Sequence, residues 1–256
     1  MAPAVADDKP LVALPENAPR PPFVWSASLP TTWRIIDLDP SRMDSNIANL
    51  LRDDDLVPGV RLSSAQRRAM QQSLKDMATQ AREAGVLLAL VQPGVDDGEI
   101  SVVPLLLRWA DSAPVPASVL SAQKQVGSKA DTSVEPTRSG ESFLLACTEG
   151  QAGPLTQRRT VYHHQAFVPI ASSTWTLTVS STAPSESVSS EVRDIVARVA
   201  ASVMGHTEIS ASPSILSDAV EDEKKAETEE SNEVEKPGAG LSRVWVRGEG
   251  VYNHAE

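Results

Sequence analysis

Two adjacent histidines are the residues of this chain with the most potential for chemistry. His163 and His164 lie beside Tyr162 in the stretch RRTVYHHQAFVPIASSTWTLTVSS, which runs from 158 to 181. Imidazole is the commonest acid–base group near neutral pH and a frequent metal ligand. The stretch alternates apolar and polar residues like two β-strands, and neighbours on a strand point to opposite faces. We therefore do not expect the two imidazoles to bind one metal ion together.

A small-ligand pocket is an alternative use for this hairpin. The pocket would lie between a polar connection at 111–140 and the sheet, lined by Trp109, Tyr162, His163 and His164. The sequence assigns no partner acid or nucleophile to either histidine, as a catalytic base would require. The competing interpretation is structural, with one histidine exposed and the other packed.

The remaining motifs do not match established patterns. The acidic runs at 53–55 and 96–98 lack the alternating acids and terminal glutamate of a calcium-binding loop. RSGESF and TEGQAG match no nucleophile motif, and no phosphate-binding glycine motif occurs. Cys147 lies in an apolar run, and a single cysteine excludes an internal disulfide and a cysteine-based zinc site. The sequence predicts no catalytic residue, no metal site and no cofactor.

Negative charge is concentrated in one part of the chain. The net charge is −11, and Glu208–Lys236 holds ten acids and three lysines. Acidic sequence with few apolar residues buries no core, so residues 207–240 are predicted to be a disordered linker. No basic face is visible, which argues against binding to nucleic acid.

Apolar and aromatic residues return after the acidic linker. The segment 241–256 carries Val244, Trp245, Val246 and Tyr252. These residues form either a short motif that adds as an edge strand to a partner, with Trp245 as anchor, or the last strand of the fold itself. If the motif serves a partner, removing residues 208–256 would abolish partner binding and leave the melting temperature nearly unchanged.

Periodicity predicts one domain of the α+β class over residues 23–206, with a largely antiparallel sheet flanked by helices. A flexible, proline-rich leader at 1–22 precedes it. Helices are expected at 40–52, from a capping box at Ser63 to Gly85, and over the valine stripe that ends at Gly205. The apolar runs between them are predicted strands, and residues 111–140 a polar loop.

Three stretches carry a resemblance to a known fold: LPTTWRIIDLD, AREAGVLLALVQ and FVPIASSTWTLTVSSTAPSESVSSEVRDIVARVAASV. Over roughly residues 24–205 the chain resembles the PsbP-like α/β/α sandwich, which is shared with the Ran-binding Mog family. It also resembles actinobacterial proteins with W...D openings and A..AR..GA helices, associated with secretion-system neighbourhoods. Members of the fold mostly act as binding or assembly factors, so the resemblance implies a non-enzymatic role and supplies no catalytic residues.

These observations favour an interaction protein: an adaptor, chaperone or assembly factor with a protein partner, in a secretion or envelope system. An immunity-type inhibitor that covers a basic toxin is an alternative, as is the ligand-binding or enzymatic domain described above. No signal peptide and no apolar run of membrane-spanning length occurs, so we expect a cytoplasmic protein without membrane insertion. The identity of the partner and the oligomeric state do not follow from the sequence.

Overall fold

The computed structural model describes residues 12–52, 60, 62–96, 99–153, 158–210, 240–247 and 250–253. Within these ranges the chain forms four helices and two antiparallel sheets. The helices are α1 Pro40–Leu50, α2 Ser64–Glu83, α3 Val119–Gln125 and α4 Ser189–Ala201. The strands are β1 Val12–Ala13, β2 Phe23–Pro30, β3 Arg34–Ile36, β4 Leu88–Asp96, β5 Glu99–Asp111, β6 Asp131–Pro136, β7 Ser142–Ala152, β8 Arg159–Pro169, β9 Trp175–Ala183, β10 Met204–Ser210, β11 Leu241–Arg247 and β12 Gly250–Asn253.

The two sheets differ in how far apart their strands lie in sequence. The seven-stranded sheet has the order β3-β4-β5-β9-β8-β7-β6, and the five-stranded sheet has the order β1-β12-β11-β2-β10. Neighbouring strands of the larger sheet come mostly from hairpins, whereas the smaller sheet joins both ends of the chain. The α+β class, with antiparallel strands flanked by helices, is confirmed. The second sheet was not expected from the sequence.

The main core lies on one face of the seven-stranded sheet. Leu105, Leu107 and Trp109 alternate along β5 and point into this core. Helix α4 packs on β8 and β9 and also contacts β2. The apolar side chains of β2 and β11 join the same cluster, which therefore contains residues from both sheets and from α4. Burial of this cluster is the main force that holds the elements together.

The opposite face of the seven-stranded sheet carries two smaller clusters. Helices α1 and α2 bury Met43, Ile47 and Leu74 against the strands β3 and β4. Helix α3 buries Ala122 against Leu144 of β7 and its neighbours. Apolar side chains therefore cover the sheet on both faces, which explains the continuous apolar run of β4.

Local sequence signals set the ends of α1 and α2. The side chain of Asp39 accepts a hydrogen bond from the backbone N–H of Ser41 at 2.8 Å, which caps α1. Ser63 and Gln66 form the predicted capping box of α2, with N···O distances of 2.9 and 3.2 Å. Gly85 follows α2 with φ +71°, a conformation that favours glycine. The signals for both helices are confirmed.

The valine stripe of α4 extends past the end of the helix. The predicted stop at Gly205 is wrong, because α4 ends at Ala201 and β10 begins at Met204. Ser202 is fully buried, and its Oγ donates to the carbonyl of Val199 and accepts from the N–H of Ser28 at 2.8 Å. This hydrogen bond to β2 ends the helix and places the next residues beside β2.

Residues 111–140 are not a loop throughout. They contain α3 and the edge strand β6, which pairs with β7. Ser118 caps α3 by accepting from the N–H of Ser121 at 3.2 Å, a short-range signal that the polar composition obscured. The prediction of a polar loop is therefore wrong for these two elements.

Both ends of the described chain belong to the fold. Residues 12–22 were predicted as part of a flexible leader, but β1 pairs with β12, and Leu14 and Ala18 are buried in the main core. For residues 241–256 the sequence left open a partner-binding motif or the last strand of the fold, and the second applies to β11, which pairs with β2 from Leu241 to Val246. The rest of the predicted leader, residues 1–11, and most of the predicted linker, residues 211–239, lie outside the described residues.

Candidate functional site

The two histidines lie on opposite faces of β8, as the strand alternation predicts. His163 Nδ1 is hydrogen-bonded to Thr182 Oγ1 at 2.9 Å, and its ring lies over Gly150 of β7, where a Cβ would come within 2.6 Å of the ring. His164 is 2% exposed, and its Nε2 is hydrogen-bonded to Ser189 Oγ at the start of α4. Each imidazole thus connects neighbouring elements of the fold.

Cys147 and His164 are directly opposite each other on β7 and β8 and share the inner face. Burial lowers the pKa of His164, with a smaller effect from the nearby Arg193 cation. Burial raises the pKa of the Cys147 thiol, and the carboxylate of Asp131 adds to this. Both groups are therefore held neutral, which is the opposite of the thiolate–imidazolium pair of a cysteine nucleophile.

The residues predicted to line a ligand pocket are not brought together. Trp109 packs edge-on against Phe23 and Trp25, with ring centroids 5.9 and 5.3 Å apart. The strand register places it roughly 16 Å from His164, four residues along and two strands away. His163 faces the other side of the sheet, whereas Tyr162 shares the inner face with His164. The prediction of one pocket from these four side chains has no counterpart in this arrangement.

The predicted C-terminal motif is part of the five-stranded sheet. Val244, Trp245 and Val246 are buried in β11, opposite Ala27, Ser26 and Trp25 of β2. Val244 and Val246 point into the main core, and Trp245 points to the other face, where it stacks on His206 with ring centroids 5.0 Å apart. Tyr252 of β12 lies opposite Trp245. The segment therefore docks on its own domain.

The acidic segment, defined here as residues 211–239, joins two strands that flank β2. Ser210 at the end of β10 lies opposite Phe23, and Leu241 at the start of β11 lies opposite Pro30. The two attachment points are thus at opposite ends of β2, roughly 23 Å apart for eight strand residues. Thr31 and Gly240 add a backbone hydrogen bond of 2.9 Å at the second attachment point.

A cavity with three arginines is a feature that the sequence did not predict. It has a volume of about 360 Å³ and lies between residues 13–20, the start of α1 and the last turn of α2. Each of the three segments contributes one arginine: Arg20, Arg42 and Arg82. These residues are far apart in sequence and form no motif, so no pattern in the chain pointed to them.

Three further properties of the chain bear on its function: metal binding, membrane insertion and relationship to known proteins. Among the described residues, no cluster of three or more histidine, cysteine, aspartate or glutamate side chains is placed to hold a metal ion. The described helices include none that is long and apolar enough to cross a membrane. Comparison of the chain with protein-family models, with curated proteins and with solved structures gives no significant match.

Proposed function

We propose that this chain is a non-enzymatic interaction protein, an adaptor, chaperone or assembly factor, whose acidic segment binds a basic protein partner. The observation that carries this proposal is the return of the chain into the sheet after the acidic segment. Because β10 and β11 pair with the two sides of β2, the fold holds both ends of the segment. Both ends of the segment are therefore attached to the domain.

The composition of the acidic segment supports a basic partner. It contains nine acids and three lysines, so it holds most of the net charge of −11. Its contour length is on the order of 95 Å, about four times the separation of its attachment points. Concentrated charge of one sign steers an oppositely charged protein towards the segment and speeds association.

The burial of the C-terminal residues changes their part in this proposal. Val244, Trp245 and Val246 are buried in their own sheet, so their side chains do not form a docking surface in this conformation. The pairing of β11 with β2 instead attaches the C-terminal side of the acidic segment to the domain. Partner binding is assigned to the acidic segment, in place of an edge strand added to the partner.

The cellular setting is a further part of the proposal. The resemblance to the PsbP-like fold and to actinobacterial proteins of secretion-system neighbourhoods is the reason to propose an accessory role in a secretion or envelope system. A cytoplasmic location is proposed with it. An immunity-type inhibitor of a basic toxin would use the same acidic segment, so the identity of the partner separates these two roles.

Matched charge variants test the assignment. The first variant neutralises four acids of the segment, and the second neutralises four exposed acids of the domain, so both lose the same charge. The substitutions in the segment are Glu227→Gln, Glu229→Gln, Glu230→Gln and Glu233→Gln. Those in the domain are Glu83→Gln, Glu186→Gln, Glu191→Gln and Asp194→Asn.

Capture from the native lysate, followed by mass spectrometry, identifies the partner, and calorimetry measures its affinity at two salt concentrations. We expect a basic protein whose binding weakens with salt and is lost in the segment variant but kept in the domain variant. Equal loss in both variants would show that net charge alone matters. Equal binding in both would remove the acidic segment from the interface.

A further inference from the structure

The cavity between residues 13–20, α1 and α2 is built from three parts of the chain that other contacts hold in place. Asn17 Nδ2 donates to the carbonyl of Arg82 at 2.7 Å, which fixes the N-terminal segment against the last turn of α2. A Cβ at Gly85 would lie 3.2 Å from Pro19 Cδ, so the two segments approach closely there. The walls of the cavity are therefore set by direct contacts.

Two of the arginines in the cavity are oriented by neighbours. Arg42 Nε donates to Asp37 Oδ2 at 2.7 Å, and its Nη2 lies 3.2 Å from Asp39 Oδ2. Arg20 Nη2 donates to the carbonyls of Leu14 and Pro15 at 3.2 and 2.7 Å. These contacts orient both guanidinium groups in the lining of the cavity.

Arg82 differs from the other two arginines. Its guanidinium group makes no hydrogen bond or ion pair with any residue of the described ranges, although it lies near enough to Asp39 to help lower the pKa of that carboxyl. It is half-buried in the last turn of α2. A guanidinium group offers five N–H donors in a planar fork that matches carboxylate and phosphate oxygens.

The carboxylates in the lining limit the charge that the cavity can take. Asp39 already accepts hydrogen bonds from the N–H and the Oγ of Ser41, and it forms an ion pair with Arg42. Glu16 is exposed at the edge of the cavity. The cavity therefore has room for one anionic group beside Arg82, next to the apolar surfaces of Leu14 and the prolines.

We propose that this cavity binds a small organic anion, whose single carboxylate or phosphate group is held by Arg82 beside Arg20. The volume of about 360 Å³ is within the range of small-ligand pockets. This binding site is separate from the acidic segment, and it does not depend on the function proposed above.

The test uses the full-length chain and measures its melting temperature with increasing inorganic phosphate, acetate or succinate, against potassium chloride at equal ionic strength. A ligand that binds only the folded chain raises the melting temperature in a saturable way. We expect such a rise with phosphate or with the carboxylates, and which of the two gives it identifies the anionic group.

Three variants assign the response to the cavity. Arg82→Gln should abolish the rise, and Arg68→Gln, an exposed position on the same helix roughly 21 Å away, should keep it. Glu16→Gln should strengthen it, because a repelling carboxylate is removed. Arg82→Lys keeps the positive charge but lacks the planar guanidinium group, so its rise in melting temperature should be weaker. This variant replaces Arg82→Gln if Arg82→Gln does not fold.

Three results would overturn the proposal. The first is a rise in melting temperature no larger than that in the chloride control. The second is a rise that persists in Arg82→Gln or is unchanged in Arg82→Lys. The third is a loss of the rise in Glu16→Gln. The last result would mean that Glu16 does not repel the bound anion.

Discussion

Val246 gives the sharpest test of whether the C-terminal strands belong to the fold. This side chain is 3% exposed in β11 and faces Trp25 in the main core. Its replacement by aspartate removes about 1.5–3 kcal/mol of apolar burial. It also places a carboxylate without a partner in the core, which costs several kcal/mol more. The sum approaches the whole stability of a typical domain, so Val246→Asp should unfold much of the protein.

The milder Val246→Ala variant gives a measurable number. Two methyl groups are lost and a small cavity remains, so the free energy of unfolding should fall by about 2 kcal/mol. For a chain of this size the melting temperature should fall by about 4–8 °C. Urea unfolding followed by tryptophan fluorescence and thermal unfolding followed by circular dichroism measure the two quantities.

Val134 provides the matched control. It lies on the edge strand β6 and is 52% exposed, so Val134→Asp makes the same substitution on a strand without burying the charge. Its effect should stay within about 0.5 kcal/mol. If Val246→Asp were as harmless as Val134→Asp, residues 241–253 would not be part of the sheet, and the reasoning about the acidic segment would fail with it.

Two further predictions concern the imidazoles of His164 and His206 and a crowded glycine. Burial lowers the pKa of His164 and of His206 below the ordinary value near 6.5, so the folded chain keeps them neutral while the unfolded chain takes up protons. The free energy of unfolding should therefore fall as the pH drops from about 7 to 5. This dependence on pH should be weaker in His164→Gln. An equal dependence in both proteins, measured by urea unfolding, would contradict the prediction. A methyl group at Gly205 would lie 2.6 Å from Ile170 Cγ2, so Gly205→Ala should cost about 1–3 kcal/mol, whereas Gly94→Ala, with no atom within 4 Å, should not. Similar urea midpoints for the two glycine variants would contradict the predicted steric clash with Ile170.

The elements that could be predicted from the sequence are those set by local signals. The capping box at Ser63, the proline after Asp39 and the alternation along β8 and β9 are each contained in a few residues. The separation of His163 from His164 follows from the same alternation. Such patterns depend on backbone geometry and short-range hydrogen bonds, so one stretch of sequence is sufficient.

The features that could not be predicted depend on distant pairing. The alternation of Val244, Trp245 and Val246 is a strand signal, but it does not say that the partner is β2, about two hundred residues earlier. The same limit applies to β1, which pairs with β12. The cavity with three arginines has no sequence signal, because contacts between three separate segments create it.

Cleavage within the acidic segment tests the central claim most directly. A site for a sequence-specific protease, inserted between Glu227 and Glu233, would cut the chain after the first ten strands and leave β11 and β12 on a short fragment. Since β11 is paired with β2 and buried, the two fragments should elute together in size-exclusion chromatography and separate only in urea. Elution of the short fragment by itself, with the larger fragment still folded, would show that β11 and β12 are not a necessary part of the fold.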